Sequence, residues 1–273
     1  MSRARTTPRA LTIAGSDSGG GAGIQADLKT FAAFGVYGTS ALVALTAQNT
    51  REVRAIHEVP AEFVVAQIDA VLQDIGTDAA KTGMLASRTL VETVVEAVRR
   101  HRIPNLVVDP VMVSKSGSVL LQADAVEAVR RGLVPLARVI TPNLPEAEIL
   151  TGRTLASPAA VREAAREIHR MGARHVVIKG GHAEGEPLDV LFDGESFTEF
   201  AGARIRTRCD HGTGCTFSAA ITALLALGEG ARSAVGEAKR YVEEAMRRAR
   251  PVGSGHGPLN HFQRFSGGFQ KSR

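Results

Sequence analysis

Short apolar stretches alternate with longer amphipathic ones along most of this 273-residue chain. Each short stretch is largely apolar and carries at most one charged residue, which is typical of strands buried on both faces of a sheet. They predict strands over residues 10–14, 40–47, 79–84, 106–112, 138–141 and 176–179. Apolar residues recur at helical spacing between them and predict helices over residues 24–34, 61–75, 89–100, 123–133, 159–171, 216–227 and 231–248.

This alternation predicts an α/β fold of three layers, α/β/α, in which helices cover both faces of a mainly parallel central sheet. Two further apolar segments in residues 188–200 flank Asp193-Gly194, which predicts a hairpin. Because the composition shows no break, we predict a single domain over residues 10–263. A flexible N-terminus (1–9) and a C-terminal tail (264–273) would flank it.

Composition narrows the class of protein and of partner. Hydrophobic residues make up 44% of the chain, yet no apolar run is long enough to span a bilayer. The formal charge is +5, but the arginines are interleaved with glutamates and only 4% of residues are aromatic, which argues against nucleic acid and membrane partners. The first residues lack the pattern of a secretory signal, and Cys209 and Cys215 are interpreted as reduced thiols, so we expect a cytoplasmic protein.

A glycine-rich turn at residues 211–215, with the sequence HGTGC, runs directly into an apolar helix. The first N–H groups of a helix have no intrahelical partner, so such a turn is suited to hold a phosphate or an oxyanion. Cys215 lies at the helix start, where a thiol is easier to ionise. An ordinary helix start capped by Thr213 or Thr216 is the alternative interpretation.

The loop that follows the first predicted strand, residues 15–27, is also rich in glycine. Gly21, Gly23 and Ala26 fit a variant of the dinucleotide-binding motif. The acidic residue of that motif is missing at the end of the next strand, although Arg51 would suit a phosphorylated ribose. No Gly-Lys-Ser/Thr closes the loop as in a Walker A motif. The glycines are equally consistent with a lid, a close approach of substrate or a flexible turn.

Charged residues follow three further predicted strands. Asp109 and Glu146 are candidate carboxylates for a metal ion, and Lys179 precedes two glycines where a cation would meet phosphates. Each has a structural alternative, of which the strongest is a capping box between Asn143 and Glu146. Because an anion hole, a lysine and two acids are the groups that phosphoryl transfer requires, their convergence favours a kinase.

Several motifs in one order now point to a family. They are AGSDSGGGAGIQAD at 14–27, AQNT at 47–50, ITPNLPE at 140–146, KGGH at 179–182, HGTGC at 211–215 and GHGP at 255–258. From about residue 10 to residue 262 the chain resembles the hydroxymethylpyrimidine and hydroxymethylpyrimidine-phosphate kinases of thiamine synthesis, in the ribokinase-like superfamily. The resemblance implies a ribokinase-like fold, ATP with Mg²⁺, two successive phosphorylations of a small aminopyrimidine, and a homodimer.

The resemblance also implies roles for individual residues. It assigns Gly212, Thr213 and Gly214 to an anion hole for the transferred phosphoryl group. Cys215 takes the position of an aspartate base in sugar kinases. The chain departs from the family pattern at Cys209-Asp210, where hydroxyl-bearing residues are expected, and Asp210 is thereby a second candidate base. The remaining assignments are Gln48, Asp27, Met84 and Gly15 to the pyrimidine, Lys179 and Asn143 to ATP, and Asp109 and Glu146 to Mg²⁺ or its waters.

Other functions fit the same sequence features. A pyridoxal or pyridoxine kinase would use the same type of pocket for a hydroxymethylated pyridine. A non-catalytic nucleotide or pyrimidine sensor would keep the pocket without turnover, and a dehydrogenase would bind a nicotinamide cofactor instead. Turnover of ATP that depends on substrate separates the kinases from the sensor and the dehydrogenase.

Overall fold

A computed structural model describes residues 7–112, 120–181 and 186–265. Nine strands in this part of the chain form one sheet. The strands are β1 (Arg9–Asp17), β2 (Tyr37–Gln48), β3 (Val53–Glu58), β4 (Ala79–Thr82), β5 (Leu106–Val108), β6 (Val139–Ile140), β7 (Val176–Ile178), β8 (Leu188–Phe192) and β9 (Phe197–Ala201). The α-helices are α1 (Gly23–Ala33), α2 (Ala61–Asp74), α3 (Arg88–His101), α4 (Ala125–Ala128), α5 (Leu144–Thr151), α6 (Pro158–Arg170), α7 (Thr213–Ala226) and α8 (Ala231–Arg247).

The sheet has the order β3-β2-β1-β4-β5-β6-β7-β8-β9. The six strands from β2 to β7 in this order are parallel. At the two edges the pairs β2–β3, β7–β8 and β8–β9 are antiparallel. The predicted mainly parallel sheet and the predicted hairpin, which is β8–β9, are therefore confirmed. The β3 strand was not predicted, because almost all of its residues are exposed and it has no apolar alternation.

Alternate residues of the central strands pack on opposite faces of the sheet. Leu11 and Ile13 of β1 join the core beneath α2, α3, α4 and α6, whereas Ala10 joins the core beneath α1, α7 and α8. Val107 of β5 and its neighbour Val108 divide between the two cores in the same way. Both faces of the sheet are thus covered, which is the three-layer α/β/α architecture predicted from the sequence.

The predicted helix over residues 123–133 is shorter and less regular than expected. It consists of α4, a π-helical turn over Val129–Leu133 and a 3-10 turn over Val134–Leu136. Pro135 has no N–H to continue an α-helix. Gly132 lies so close to α3 that a Cβ there would be 2.8 Å from a methyl group of Val95. The helix is therefore distorted where it packs on its neighbour.

The described part begins near the start of the predicted domain. β1 starts at Arg9, where the guanidinium forms an ion pair of 3.1 Å with Asp78. Residues 1–6 of the predicted N-terminal segment and 266–273 of the predicted tail lie outside the described residues. Within the described residues, no helix combines the length and apolar character needed to cross a bilayer.

Candidate active site

A cavity of about 820 Å³ lies at the carboxyl ends of the parallel strands, beside the first turn of α7. Ligands of open α/β sheets bind at this edge, where successive crossovers leave a central strand on opposite sides. All predicted site residues except Asp27 line it: Gly15, Gln48, Met84, Asp109, Asn143, Glu146, Lys179, Gly212, Thr213, Gly214 and Cys215. Asp210 lies there as well.

The first turn of α7 is not capped by a side chain. Gly212 is the N-cap, and its φ of 83° lies in the left-handed region that favours glycine. The hydroxyl of Thr213 donates to the carbonyl of Asp210 at 2.5 Å, and the hydroxyl of Thr216 lies 3.0 Å from a ring nitrogen of His261. The alternative of a helix start capped by either threonine is therefore wrong.

Backbone donors and a lysine face the same part of the cavity. The N–H groups of Thr213, Gly214 and Cys215 belong to the first helical turn, so they have no intrahelical acceptor. A Cβ on Gly214 would lie 3.3 Å from Nζ of Lys179, so the ammonium group lies directly beside this turn. An anion here would meet the positive end of the helix dipole and a full positive charge.

The glycine-rich loop after β1 packs directly on this turn. A Cβ on Gly212 would lie 1.9 Å from the carbonyl oxygen of Gly21, and a Cβ on Gly21 would lie 2.5 Å from Cδ2 of His211. The two glycine-rich motifs of the sequence therefore form one wall of the cavity. The glycines of the first loop thus allow its backbone to approach the α7 turn, a contact that was not among the alternatives considered from the sequence.

Cys215 is harder to ionise than its position at a helix start predicted. Burial raises the pKa of its thiol to about 11, and the carboxylates of Asp27 and Asp109 add to this effect. The charge of Lys81 and a hydrogen bond from the Gly23 N–H favour the thiolate but do not outweigh burial. The thiol is therefore protonated at neutral pH in the ligand-free site.

The buried ion pair between Lys81 and Asp27 was not predicted. Nζ of Lys81 lies 3.0 and 3.1 Å from the two oxygens of Asp27, and neither side chain is exposed. Thr12 donates to the same carboxylate at 2.6 Å. Asp27 therefore does not line the cavity as the resemblance implied, because its oxygens are used by Lys81, which does line it. The one feature of the sequence that could have indicated this buried ion pair is the presence of Lys81 within an apolar predicted strand.

Lys179 and Asp109 form a second buried pair, between the ends of β7 and β5. Nζ of Lys179 lies 3.2 Å from Oδ1 of Asp109, and Ser218 of α7 donates to Oδ2 at 3.1 Å. Burial alone would raise the pKa of Asp109, but Lys179 and Lys81 hold it below its ordinary value. Asp109 is therefore an anchored carboxylate.

Glu146 is both a helix cap and a titratable group of the cavity. Its carboxylate accepts from the N–H of Asn143 at 2.8 Å, while the side chain of Asn143 accepts from the N–H of Glu146 at 2.9 Å. The predicted capping box is confirmed. Burial raises the pKa of Glu146 to about 7, with Asp109 acting in the same direction and Lys179 opposing both. Glu146 is thus poised between its protonated and ionised forms near neutral pH.

The opposite end of the cavity is formed by Gln48, Met84 and Gly15. A Cβ on Gly15 would lie 2.5 Å from the terminal methyl group of Met84, so the thioether covers this glycine. The amide of Gln48 contacts Thr46 at 3.1 Å and His211 at 3.3 Å. This end combines an apolar thioether with one amide, which suits a small heteroaromatic ring.

Asp109 and Glu146 are the carboxylates of the cavity that could hold Mg²⁺. Among the described residues, no group of three or more His, Cys, Asp or Glu side chains forms a cation site. Mg²⁺ in phosphoryl-transfer sites usually keeps several waters and uses one or two carboxylates with substrate phosphates. Asp109 and Glu146, which both interact with Lys179, fit this type of site. Together with the uncapped helix they supply the parts of a phosphoryl-transfer centre.

Comparison with known proteins agrees with this chemistry. The sequence profile of the phosphomethylpyrimidine kinase family matches residues 17–260. The chain belongs to this family.

Phosphomethylpyrimidine kinases from several bacteria align with nearly the whole chain. The hydroxymethylpyrimidine/phosphomethylpyrimidine kinase of Rhizobium meliloti is 51% identical, over 95% of this chain and 98% of the relative. The thiamine biosynthesis bifunctional protein of Geobacter sulfurreducens is 53% identical over 92% of this chain. The chain spans only 51% of that bifunctional protein.

The fold also matches a solved structure of another vitamin kinase. The pyridoxal kinase of Bacillus subtilis, solved as an ADP complex, superposes with a TM-score of 0.88 and is 40% identical. The alignment covers 94% of this chain and 98% of the other. A phosphomethylpyrimidine kinase thus shares its fold with a kinase named for a different ring.

We predict that Gly212→Ala abolishes kinase activity and destabilises the protein. The new Cβ would be strained by the positive φ and would clash with Gly21, so the first turn of α7 must shift. Gly35→Ala is the matched control, because Gly35 has a φ of 73° and a Cβ added there would have no other atom within 4 Å. The control loses about 1–2 kcal/mol from strain alone. ADP release and thermal unfolding measure both effects; normal activity of Gly212→Ala would contradict the prediction.

We predict slow alkylation of Cys215 at neutral pH, because only the thiolate reacts. With a pKa of about 11, the rate with iodoacetamide should rise about tenfold per pH unit from pH 7 to 10 without levelling. The experiment uses Cys209→Ala protein, which leaves one thiol, with N-acetylcysteine as the reference. A rate that levels off near pH 8.5, as for a free thiol, would contradict the burial argument.

Proposed function

We propose that this protein phosphorylates 4-amino-5-hydroxymethyl-2-methylpyrimidine with ATP and then phosphorylates the resulting monophosphate, in thiamine biosynthesis. Family membership over residues 17–260 and the names of the close relatives support this reaction. The observation that carries it is the uncapped first turn of α7 beneath Lys179, in a cavity of which one end suits a small ring.

The two ends of the cavity suit the two substrates. Pro187, Ile205, Val242 and Met246 line its apolar end, near α8, and we propose that the purine of ATP binds there. The γ-phosphoryl group would then lie over the first turn of α7. The hydroxymethyl oxygen attacks phosphorus, the bond from phosphorus to the β-phosphate oxygen breaks, and ADP leaves. The N–H groups of Thr213 and Gly214 stabilise the negative charge on the equatorial oxygens.

Charge on the phosphates is neutralised from the side of β5 and β7. Lys179 contacts the phosphate oxygens, and Asn143 adds a polar group beside it. Asp109 and Glu146 would hold Mg²⁺ directly or through waters. When bound, this ion adds positive charge to the transferring phosphoryl group. Glu146 would then be held in its ionised form.

The proton of the hydroxymethyl group must leave as the new bond to phosphorus forms. We propose the thiolate of Cys215 as its acceptor, because this side chain lies in the first turn of α7 beside the anion hole. Burial keeps the thiol protonated in the free site, so it must first release its proton to water when the substrates bind. Lys81 and the helix dipole are the groups that favour its thiolate against burial. Asp210 is the second candidate, and its carboxylate is engaged with His256 at 2.7 Å.

Pyridoxal is the second candidate substrate. It is favoured by the likeness to the pyridoxal kinase of Bacillus subtilis, at 40% identity and a TM-score of 0.88. A hydroxymethylated pyridine would place its hydroxyl group at the same distance from the anion hole. The identity to phosphomethylpyrimidine kinases is higher, at 51% for the Rhizobium meliloti protein, so we take the pyrimidine as the principal substrate.

The test is ADP release by the purified protein with Mg·ATP, in parallel reactions with hydroxymethylpyrimidine, its monophosphate, pyridoxal and no substrate. We expect turnover with both pyrimidines well above the reaction without substrate. Turnover with pyridoxal alone would assign the protein to vitamin B6 salvage. Release that no substrate stimulates would reject a kinase and leave a sensor.

We predict that Cys215→Ala lowers kcat by about 10²- to 10⁴-fold, the usual contribution of a positioned acid or base. Cys215→Asp should recover part of the loss, because a carboxylate can accept the same proton. Cys209→Ala is the control: this thiol is 2% exposed and lies outside the cavity lining, so kcat should stay near the wild-type value. Circular dichroism checks the fold. Wild-type turnover by Cys215→Ala would remove Cys215 from the chemistry and leave Asp210.

We also propose that the protein is a cytoplasmic homodimer. Both cysteines are free thiols, which is typical of a reducing compartment. The β3 strand forms one edge of the sheet with most of its residues exposed, and Leu45 of the adjacent β2 strand is 44% exposed. An exposed edge with apolar side chains is a typical surface for pairing with another chain.

We predict a particle of twice 28.8 kDa by light scattering after gel filtration. Leu45→Lys should shift it toward the monomer, because a charge would be buried at the interface. Leu227→Lys is the control, since Leu227 is 43% exposed at the far end of α7. A monomeric wild-type protein, or a dimer insensitive to Leu45→Lys, would reject the edge as the interface.

A further inference from the structure

His211 connects the glycine-rich loop after β1 to the proposed pyrimidine end of the cavity. Its Nε2 lies 2.9 Å from Oδ2 of Asp17 and 3.3 Å from the amide nitrogen of Gln48. The ring packs against Gly21, where a Cβ would collide with Cδ2 of the imidazole. The phosphoryl-transfer steps described above do not use this side chain.

The surroundings of Asp17 decide which atom of His211 carries a hydrogen. The carboxylate accepts backbone N–H groups from Gly19 at 2.7 Å, Gly21 at 3.0 Å and Ala22 at 2.8 Å. Burial alone would raise the pKa of Asp17, but the hydrogen bonds from His211 and these N–H groups lower it. An ionised carboxylate only accepts hydrogen bonds. Nε2 of His211 must therefore carry a hydrogen and donate it.

This donor determines the orientation of the Gln48 amide. An N–H of His211 does not face an amide NH₂ productively, so the atom at 3.3 Å must be the amide oxygen. A half-turn of the amide exchanges its oxygen and nitrogen and leaves both contacts in place. The nitrogen then faces Oγ1 of Thr46, which lies 3.1 Å away and gives its own hydrogen to the Ser16 carbonyl at 2.9 Å. The single hydrogen on Nε2 of His211 then lies between two acceptors, the Asp17 carboxylate and the Gln48 amide oxygen, and the Thr46 contact also pairs a donor with an acceptor.

When the amide of Gln48 cannot turn, the positions of its free N–H donor and its free oxygen lone pair are fixed relative to a bound ring. Along one edge, the aminopyrimidine offers a ring nitrogen that accepts and an exocyclic amine that donates. Pyridoxal, aligned by its hydroxymethyl group, offers a hydroxyl there and an aldehyde oxygen that only accepts. An amide held with its oxygen toward the amine position matches the pyrimidine and opposes the aldehyde. A free amide turns and serves either ring.

We propose that His211, anchored by Asp17, is a positioning residue that holds the Gln48 amide in one orientation and thereby selects the aminopyrimidine over pyridoxal. This inference rests on the proposed function, because it assigns Gln48 to the ring. It gives the loop after β1 a role in specificity in addition to its contact with the anion hole.

The test compares kcat/KM for hydroxymethylpyrimidine and for pyridoxal in wild type, His211→Phe and His211→Gln. Phe removes the donor, whereas Gln offers an N–H at similar reach. Both substrates use the same anion hole, so a loss of activity caused by disturbance near Gly212 affects both equally and cancels in the ratio of their kcat/KM values. We expect the preference for the pyrimidine to fall about tenfold or more in His211→Phe, the size of one lost hydrogen bond, and to be largely restored in His211→Gln.

The double variant with Gln48→Ala supplies the decisive control. If His211 acts through Gln48, His211→Phe should not change the substrate ratio further in that background. An unchanged ratio in His211→Phe, or an equal change with and without Gln48, overturns the proposal. Thr46→Val removes the other contact of the amide and should lower the ratio too, which keeps the test available if the histidine variants do not fold.

The experiment distinguishes a failure of the proposed kinase reaction from a failure of the proposed role of His211. If the wild-type protein does not turn over the pyrimidine, the reaction is rejected, and the ratio of dissociation constants from calorimetry replaces the ratio of kcat/KM. A dissociation-constant ratio that His211→Phe shifts by about tenfold supports the positioning role, and an unshifted ratio overturns it.

Discussion

The packing of the loop after β1 against the first turn of α7 is the contact on which the site depends. Gly21 and Gly212 approach so closely that neither position tolerates a Cβ without movement. The hydrogen bond between His211 and Asp17 joins the same two segments from the side. Because α7 also packs against β1, β4 and β5, its uncapped end stays at the carboxyl ends of the strands. The helix dipole, the anion hole and the thiol of Cys215 therefore keep their positions without a side-chain cap.

Charge in the cavity and directly beneath it is closely balanced. Asp27, Asp109 and Glu146 face the two ammonium groups of Lys81 and Lys179. Buried ion pairs are costly to form and more costly to break, so each pair is supported by further hydrogen bonds. The pKa of Glu146, about 7, lets the site shed its excess negative charge before ligands arrive. If phosphates and a cation bind together as proposed, they would replace this balance with their own and so link nucleotide binding to the ionisation of Glu146.

The alternation of apolar and amphipathic stretches was sufficient to predict the parallel strands, most helices and the late hairpin. It missed β3, because an exposed edge strand carries no burial pattern, and it missed α5, because eight residues hold too few turns to show a period. The candidate residues were found where strands end, since parallel strands bring their carboxyl ends to one edge. Asp27 was misplaced: its position in a motif did not reveal that Lys81, from another strand, takes both its oxygens. The helix start of Cys215 suggested an acidic thiol, whereas burial has the larger effect.

The sequence by itself determined the layers of the fold, the glycine-rich turn that leaves helix donors free, and the family. These properties depend on neighbours along the chain, such as the period of apolar residues or a glycine before a helix. Only the tertiary structure decided which charges pair and which thiol keeps its proton. Asp17 meets His211 across 194 positions of sequence and Asp27 meets Lys81 across 54. The pKa of a group and its hydrogen bonds depend on the distance to its partners and on its burial, and both are determined only when the chain folds.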